Sequence, residues 1–289
     1  MANTIQDGSA ATGTDLSTVT AIKAYLGISG TDDDDLLGTI NTAVSRAIER
    51  STGRKFHAAN YSEWYDGRGS PRLMLLQAPI IDVKRICVGR QSLLNIANTS
   101  TDAARAMVRV SSTAVTLTVT GGDDAGTSTL TFADYTTITT LAAAVNLLTN
   151  WTATVPGDTR TGNYPTTDLT MIPGWNVGNS SWGLVAPRDP IMGARFEMAD
   201  GIIYLDGSAE WSPAMQNVFV EYRAGYATLP ADLAFAATTI AATMFRQSKI
   251  DLTLKSEKLG DHSWTRAIGD EVERQRDDLL APWYRFKLY

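Results

Sequence analysis

The residues here whose types could do chemistry are two histidines, His57 and His262, one cysteine, Cys87, and several runs of carboxylates. A Ser-His-Asp site would need one of the histidines, with a nucleophile and an orienting acid within hydrogen-bond reach. Neither partner can be picked out. His57 follows Lys55-Phe56 at a helix-to-strand junction and His262 sits beside Asp261 in a polar turn, so both read as turn or surface histidines. Asp123-Asp124 and Asp277-Asp278 are paired carboxyls of the type that glycosidases place about 5–10 Å apart across a cleft. The first pair belongs to a hairpin turn, where Asp supplies turn geometry. The second falls late in a helix, where negative charge opposes the macrodipole and calls for a partner or solvent. The run Asp32-Asp33-Asp34-Asp35 invites a calcium reading. An EF-hand loop alternates its ligands and has Gly at its sixth and Glu at its twelfth position, which this run lacks. A helix start accounts for four aspartates with nothing added. A single cysteine forms no intrachain disulfide and no thiolate zinc cluster. No phosphate-cradling Gly-rich loop before Lys-Ser/Thr, HExxH or GxSxG is present. The expectation is therefore a protein that is not an enzyme, with no catalytic, cofactor-binding or metal-binding residues.

Composition points the same way. The chain has 289 residues and a net charge of -6, with a pI near 5.0. An acidic surface argues against gripping nucleic acid, though not against DNA passing nearby unheld. No run approaches the roughly 20 apolar residues that span a bilayer, and MANTIQDGSAATGTDL lacks a basic-then-apolar signal layout, so no membrane role is expected.

Residues 1–15, rich in Gly, Ser, Ala, Thr and Asn, read as a flexible N-terminal arm. LSTVTAIKAYLGI predicts a short helix with Val19, Ile22 and Leu26 on one face and Gly27 as a left-handed cap. Thr31 is the expected N-cap of a second helix, with Leu36, Leu37, Ile40, Ala43, Val44, Ala47 and Ile48 as its stripe and Gly53 as its end. YSEWYDG, RLMLLQ and DVKRICVGR read as strands, continued by IIYLDG and NVFVEYRAGY in the same sheet. From about 91 to 199 the composition shifts to Thr, Asn, Gly and Ser with little charge, the mark of an inserted domain. Within it AVTLTVTGGDDAGTSTLTF predicts a hairpin, TTLAAAVNLLTN a helix capped by Thr139 or Thr140, WTATV a strand, and 156–189 a long irregular loop. Trp151, Trp175 and Trp182 suit either a small core or sugar stacking, the core being favoured. Near the C-terminus a helix from about Ser263 would align Trp264, Ile268 and Val272.

The helix opened by Pro230 is the most telling element. Leu233, Ala236, Ala237, Ile240, Ala241, Met244 and Phe245 form its apolar face, and no charge falls between Asp232 and Arg246. A helix uncharged all round needs cover all round. That cover is either a second copy of the chain, meeting it at Leu233, Ala237, Ile240, Ala241 and Met244, or the rest of an ordinary core. The final residues, Trp283, Tyr284, Arg285, Phe286, Lys287 and Tyr289, interleave aromatic and basic side chains as binding hot spots do. They dock into a partner, or Trp283 and Phe286 pack on their own subunit.

Several segments together resemble the head-tail connector, or adaptor, family of long-tailed bacteriophages. They are VTAIKAYLGISGTDDDDLL, AVSRAIERSTGRKF, YSEWYDGRG, LQAPIIDVKRICV, VEYRAGYATLPADLAFAATTIAATMFRQSK and SEKLGDHSWTRA. The resemblance spans roughly 16–90 and 200–289 and leaves the insert unmatched. It implies a ring, commonly of twelve subunits, docked under the portal protein and continuing the DNA channel toward a stopper or tail-completion protein. It further implies a C-terminal segment that reaches into the portal.

The expectation is an α+β protein. Its adaptor core, built from 16–90 and 200–281, is a helical core with a small antiparallel sheet made by both chain ends. A β-rich domain is inserted at 91–199 and a docking tail occupies 282–289. The function expected is that of a neck adaptor in the virion, assembled in the host cytoplasm, with itself and the portal as partners and with DNA passing unbound. The rivals are another virion component, for tail completion or on the capsid, and a glycan-binding protein acting through the insert.

Overall fold

A computed structural model describes residues 3–6, 15–157, 159–178, 181–188, 191, 193–207, 209–249, 256–259, 262–265 and 277–284. They form an α+β protein. The elements, in chain order, begin with β1 (Asn3–Gln6), α1 (Val19–Leu26), α2 (Asp34–Thr52), β2 (Ala59–Gly67), β3 (Arg72–Met74) and β4 (Ile80–Val88). Next come β5 (Arg90–Asn98), β6 (Arg105–Val110), β7 (Ala114–Thr120), β8 (Gly126–Thr131), α3 (Ile138–Val145), β9 (Trp151–Thr154), α4 (Thr159–Gly162), β10 (Ile172–Asn176) and β11 (Ser181–Pro187). The chain continues with β12 (Ala194–Glu197), β13 (Ile202–Leu205), β14 (Ala214–Ala224), α5 (Ala231–Ser248), β15 (Ser256–Leu259) and β16 (His262–Thr265).

Local chemistry sets the helix ends. The Thr18 hydroxyl accepts from Ala21 N to start α1, and Gly27, at φ 73°, closes it while Ile28 N donates to Lys23 O. α2 begins three residues after the expected cap: Thr31 only forms a preceding turn, accepting Asp34 N through its carbonyl, and Asp33 is the N-cap. The aspartates are partly neutralised by lysines from neighbouring helices, Lys249 on Asp33 and Lys23 on Asp34, each at 2.7 Å. Pro230 is the N-cap of α5 rather than its first residue. The hydroxyls of Thr238, Thr239 and Thr243 donate to carbonyls one turn back, so the charge-free stretch between Asp232 and Arg246 satisfies these hydroxyls within the helix.

The helices α1, α2 and α5 pack around Leu16, Ile22, Leu37, Val44, Ile48, Phe56, Leu233, Ala237, Ala241, Phe245, Leu280 and Trp283. Beside them lies an antiparallel sheet in the order β1-β2-β14-β4. Residues 3–6 of the expected flexible arm are its edge strand, with Asn3 opposite Trp64 and Gln6 opposite Tyr61. At the end of β14, Gly225 has φ 109°, and a Cβ there would lie 2.5 Å from His57 O. Only glycine lets the chain turn into α5 at this point.

Further sequence expectations change. RLM and IIYL do not extend the main sheet; β3 and β13 join β12 in a sheet ordered β12-β13-β3. The stretch expected as loop at 156–189 contains strands β10 and β11, and β5 and β6 were not anticipated. Trp264 lies in strand β16, not a helix, while Ile268 and Val272 lie outside the described residues. Residues 93–186 supply a hydrophobic cluster of their own, built from sheets β11-β5-β9 and β10-β6-β7-β8 with Leu141 and Val145 of α3. Thr137, not Thr139 or Thr140, caps α3, and the Thr140 side chain accepts from Thr137 N in return.

Candidate functional site

Among the described residues, those that could have done chemistry do not gather. His57 Nε2 lies 3.2 Å from Asp15 O, and its backbone bridges to Tyr226. His262 is in β16, remote in sequence from any described acid but Glu257, the residue opposite Trp264. Asp123 N donates to Asp102, and the Asn150 side chain donates to Asp124, so this carboxyl pair belongs to the β7–β8 turn. Asp277 and Asp278 are exposed on the helical residues 277–280. Cys87 is buried beneath Trp64 and Phe219. Among the described residues, no three His, Cys, Asp or Glu side chains converge on a metal position.

The most deeply buried polar cluster joins sheet to loop. Glu63 of β2 is 0% exposed and accepts from the hydroxyls of Tyr65 and Tyr222, the latter at 2.7 Å. Those hydroxyls in turn accept the backbone N–H groups of Leu76 and Gln77, at 3.0 and 3.2 Å. Burial, then the Glu63 charge, pushes the neighbouring Tyr61 phenol up to about 12. Burial also holds the Tyr65 and Tyr222 phenols well above their ordinary value. The cluster pins the β3–β4 connection through Leu76 and Gln77.

The expected subunit interface falls inside the molecule. Leu233, Ala237 and Ala241 are 0% exposed because α1 and α2 already cover that face of α5. Ile240 is half-buried, and of the five residues only Met244, at 45% exposure, keeps a free surface. Helical periodicity identifies the buried face but not what buries it, which is why these positions misled. The face α5 does present carries Phe235, 54% exposed. Its ring meets Tyr25 of α1 edge-on at 6.1 Å, and the Arg246 guanidinium lies 5.9 Å from the Tyr25 ring centre. Phe235 breaks the spacing of the buried stripe, a signal the sequence did contain.

The expected docking tail divides at one residue. Trp283 packs edge-on against Phe56 at 5.8 Å and Tyr226 at 6.1 Å, beside buried Leu280. It is part of the helical core and so unavailable to a pocket elsewhere. Tyr284 is 42% exposed. Arg285, Phe286, Lys287 and Tyr289 lie outside the described residues.

Of the three tryptophans for which a core was favoured, only Trp151 is buried. Trp175 and Trp182 are 48% and 38% exposed and stack on each other with ring centres 4.3 Å apart. Arg85 of β4 ties the segment around Asp168 to the main sheet. It donates through both terminal nitrogens to Asp168 and through Nε to Glu221, at 2.7–2.8 Å. The hydrogen bonds to Asp168 are the first cause of its raised pKa.

No family model and no curated protein matches the chain. Among solved structures it is similar to a chain in the neck of an empty gene transfer agent particle, at 16% identity and a TM-score of 0.44, with 100% of this chain and 97% of that one covered. A chain in the virion of the native particle is similar at 16% identity and a TM-score of 0.43, with the same coverage of 100% and 97%. A chain in the neck of the native particle is similar at 14% and 0.36, again over 100% and 97%. Agreement this loose carries no argument about function. Among the described residues the arrangement offers exposed aromatic surfaces: Tyr25 and Phe235 on the helices, the stacked Trp175 and Trp182, and Tyr284 beyond buried Trp283.

Proposed function

We propose that this chain is a structural protein of the phage neck, an adaptor that forms a ring between the portal protein and the stopper or tail and continues the DNA channel. The observation that carries the assembling part of the reading is the set of large apolar side chains left uncovered on α1, α2 and α5. Tyr25 of α1, Leu36 of α2, and Phe235 and Met244 of α5 are each 40–54% exposed. Apolar patches of this kind mark association surfaces. The resemblance of the two chain ends to phage adaptors supplies the setting.

Function then follows from shape and valency. Trp283 anchors the chain end in the helical core, and Tyr284 through Tyr289 form the portal-docking segment. Each contact is weak by itself, and a ring joins many of them into firm attachment. The acidic net charge of -6 keeps passing DNA from being held.

The test is the mass of the purified protein, alone and mixed with its portal, with electron-microscope images of whatever forms. A ring is expected in at least one condition; a persistent monomer that ignores the portal overturns the reading. Removal of residues 284–289 is expected to abolish portal binding while leaving the fold intact. A second reading, glycan binding by the insert, is favoured by the exposed Trp175–Trp182 pair. Saturable quenching of tryptophan fluorescence by oligosaccharides, lost on Trp175→Ala, would establish it.

A further inference from the structure

The two ends of α2 carry opposite charge, and neither end is fully used. At the C-terminal end Arg46, Glu49, Arg50, Arg54, Lys55 and Gln77 line a cleft of about 260 Å³. Lys55 pairs with Glu49. Arg54 donates one N–H to Ala78 O at 2.8 Å, while its buried Nε has no hydrogen-bond partner among the described residues. Arg46 and Arg50 are exposed, share one helix face at i and i+4, and form no ion pair among the described residues. At the N-terminal end Asp33 and Asp34 are paired with lysines, whereas Asp32 and Asp35 are exposed and unpaired among the described residues.

The macrodipole explains only part of this pattern. Its influence is confined to the first and last turns. Arg54, Lys55 and Gln77 lie beyond the helix, which ends at Thr52, so dipole compensation does not account for a cleft lined four to one by cations over Glu49. Nor can the two ends satisfy each other within one molecule. The 19 residues of α2 hold them about 28 Å apart.

We infer that the basic cleft receives the acidic turn Asp32–Asp35 of a second copy of this chain, forming the head-to-tail contact of the ring. The inference rests on the ring proposed above. Two unpaired arginines meet two unpaired carboxylates, and Arg–carboxylate pairs are among the stronger charge-assisted contacts. A head-to-tail contact uses different patches on the two copies, as closure into a ring requires. A polyanion such as DNA fits the cleft less well, because it would have to approach a molecule of net charge -6.

The experiment is charge reversal read by assembly mass at low salt. Arg46→Glu with Arg50→Glu, or Asp32→Lys with Asp35→Lys, is expected to weaken association at least ~tenfold. All four changes in one chain are expected to restore it. Circular dichroism checks the fold of each variant, whose altered positions are all exposed. As a second readout, Asp35→Cys and Arg50→Cys chains, mixed and oxidised, are expected to link to each other and not to themselves; the native Cys87 is buried. Rings indifferent to either reversal, with no such link, overturn this contact alone. Assembly lost with the arginines but not restored by the fourfold swap assigns the cleft to another anion and also overturns it. A wild-type chain that never forms a ring removes the proposed function together with this contact.

Discussion

Buried polar residues carry the sharpest consequences at the scale of single side chains. Tyr222 both donates to Glu63 and accepts from Gln77 N, so Tyr222→Phe leaves a buried acceptor and a loop N–H each short of a partner. The expected cost is about 1–3 kcal/mol, read from the denaturant midpoint. Alkali tests the same cluster. Unfolded, Tyr61 ionises near its ordinary value of 10.0; folded, it keeps its proton to about 12. The folded state therefore binds more protons across that window, and its stability is expected to be intact below about pH 10 and to fall toward pH 12. Phenolate absorbance measured alongside the unfolding transition checks this. A tyrosine absorbance titrating fully at its ordinary value in the folded protein would contradict it.

Among the elements, α5 and the insert make separate demands. Ala237 sits at 0% exposure between α5 and the rest of the helical core. Ala237→Arg is accordingly expected to prevent folding rather than to yield a folded monomer, a distinction circular dichroism makes at once. Phe235→Ser, on the exposed face, is expected to leave the fold alone and to reduce self-association. The segment around Asp168 is held to the main sheet by Arg85, which pairs with Asp168 and with Glu221. With Asp168→Asn the bidentate ion pair is lost, and faster amide exchange is expected around 166–169 while the insert's own cluster, complete within 93–186, stays protected. The presence of α1, α2, α5, β2, β4 and β14 was legible in sequence because caps, glycines and period are local signals. Strands β5, β10 and β11 were not, since Asn, Ser, Gly or Pro within them breaks the alternation that marks a strand, whereas β6, RAMVRV, does alternate and its signal was there to read.

For the molecule as a whole, the two chain ends meet in one helical core, with Leu16 near one end of the sequence and Trp283 near the other in the same cluster. Between them, residues 93–186 keep a hydrophobic cluster of their own. If Tyr25, Leu36, Phe235 and Met244 form an assembling surface, association is expected to strengthen with temperature from the cold and to show a negative heat-capacity change by calorimetry. Its electrostatic share, carried by the two ends of α2, is expected to weaken as salt is raised.

The sequence by itself determined the α+β class, the ends of α1 and α2 at Gly27 and Gly53, the hairpin of β7 and β8, and the charge-free stretch of α5 between Asp232 and Arg246. Each depends on neighbours a few residues apart. Only the tertiary structure decided what covers α5, that Trp283 belongs to the core, that Glu63 faces inward between two tyrosines, and that Phe235 and Tyr25 are left outside. Those outcomes depend on which distant surfaces meet, and a periodic apolar stripe is the same whether its own subunit or another one buries it.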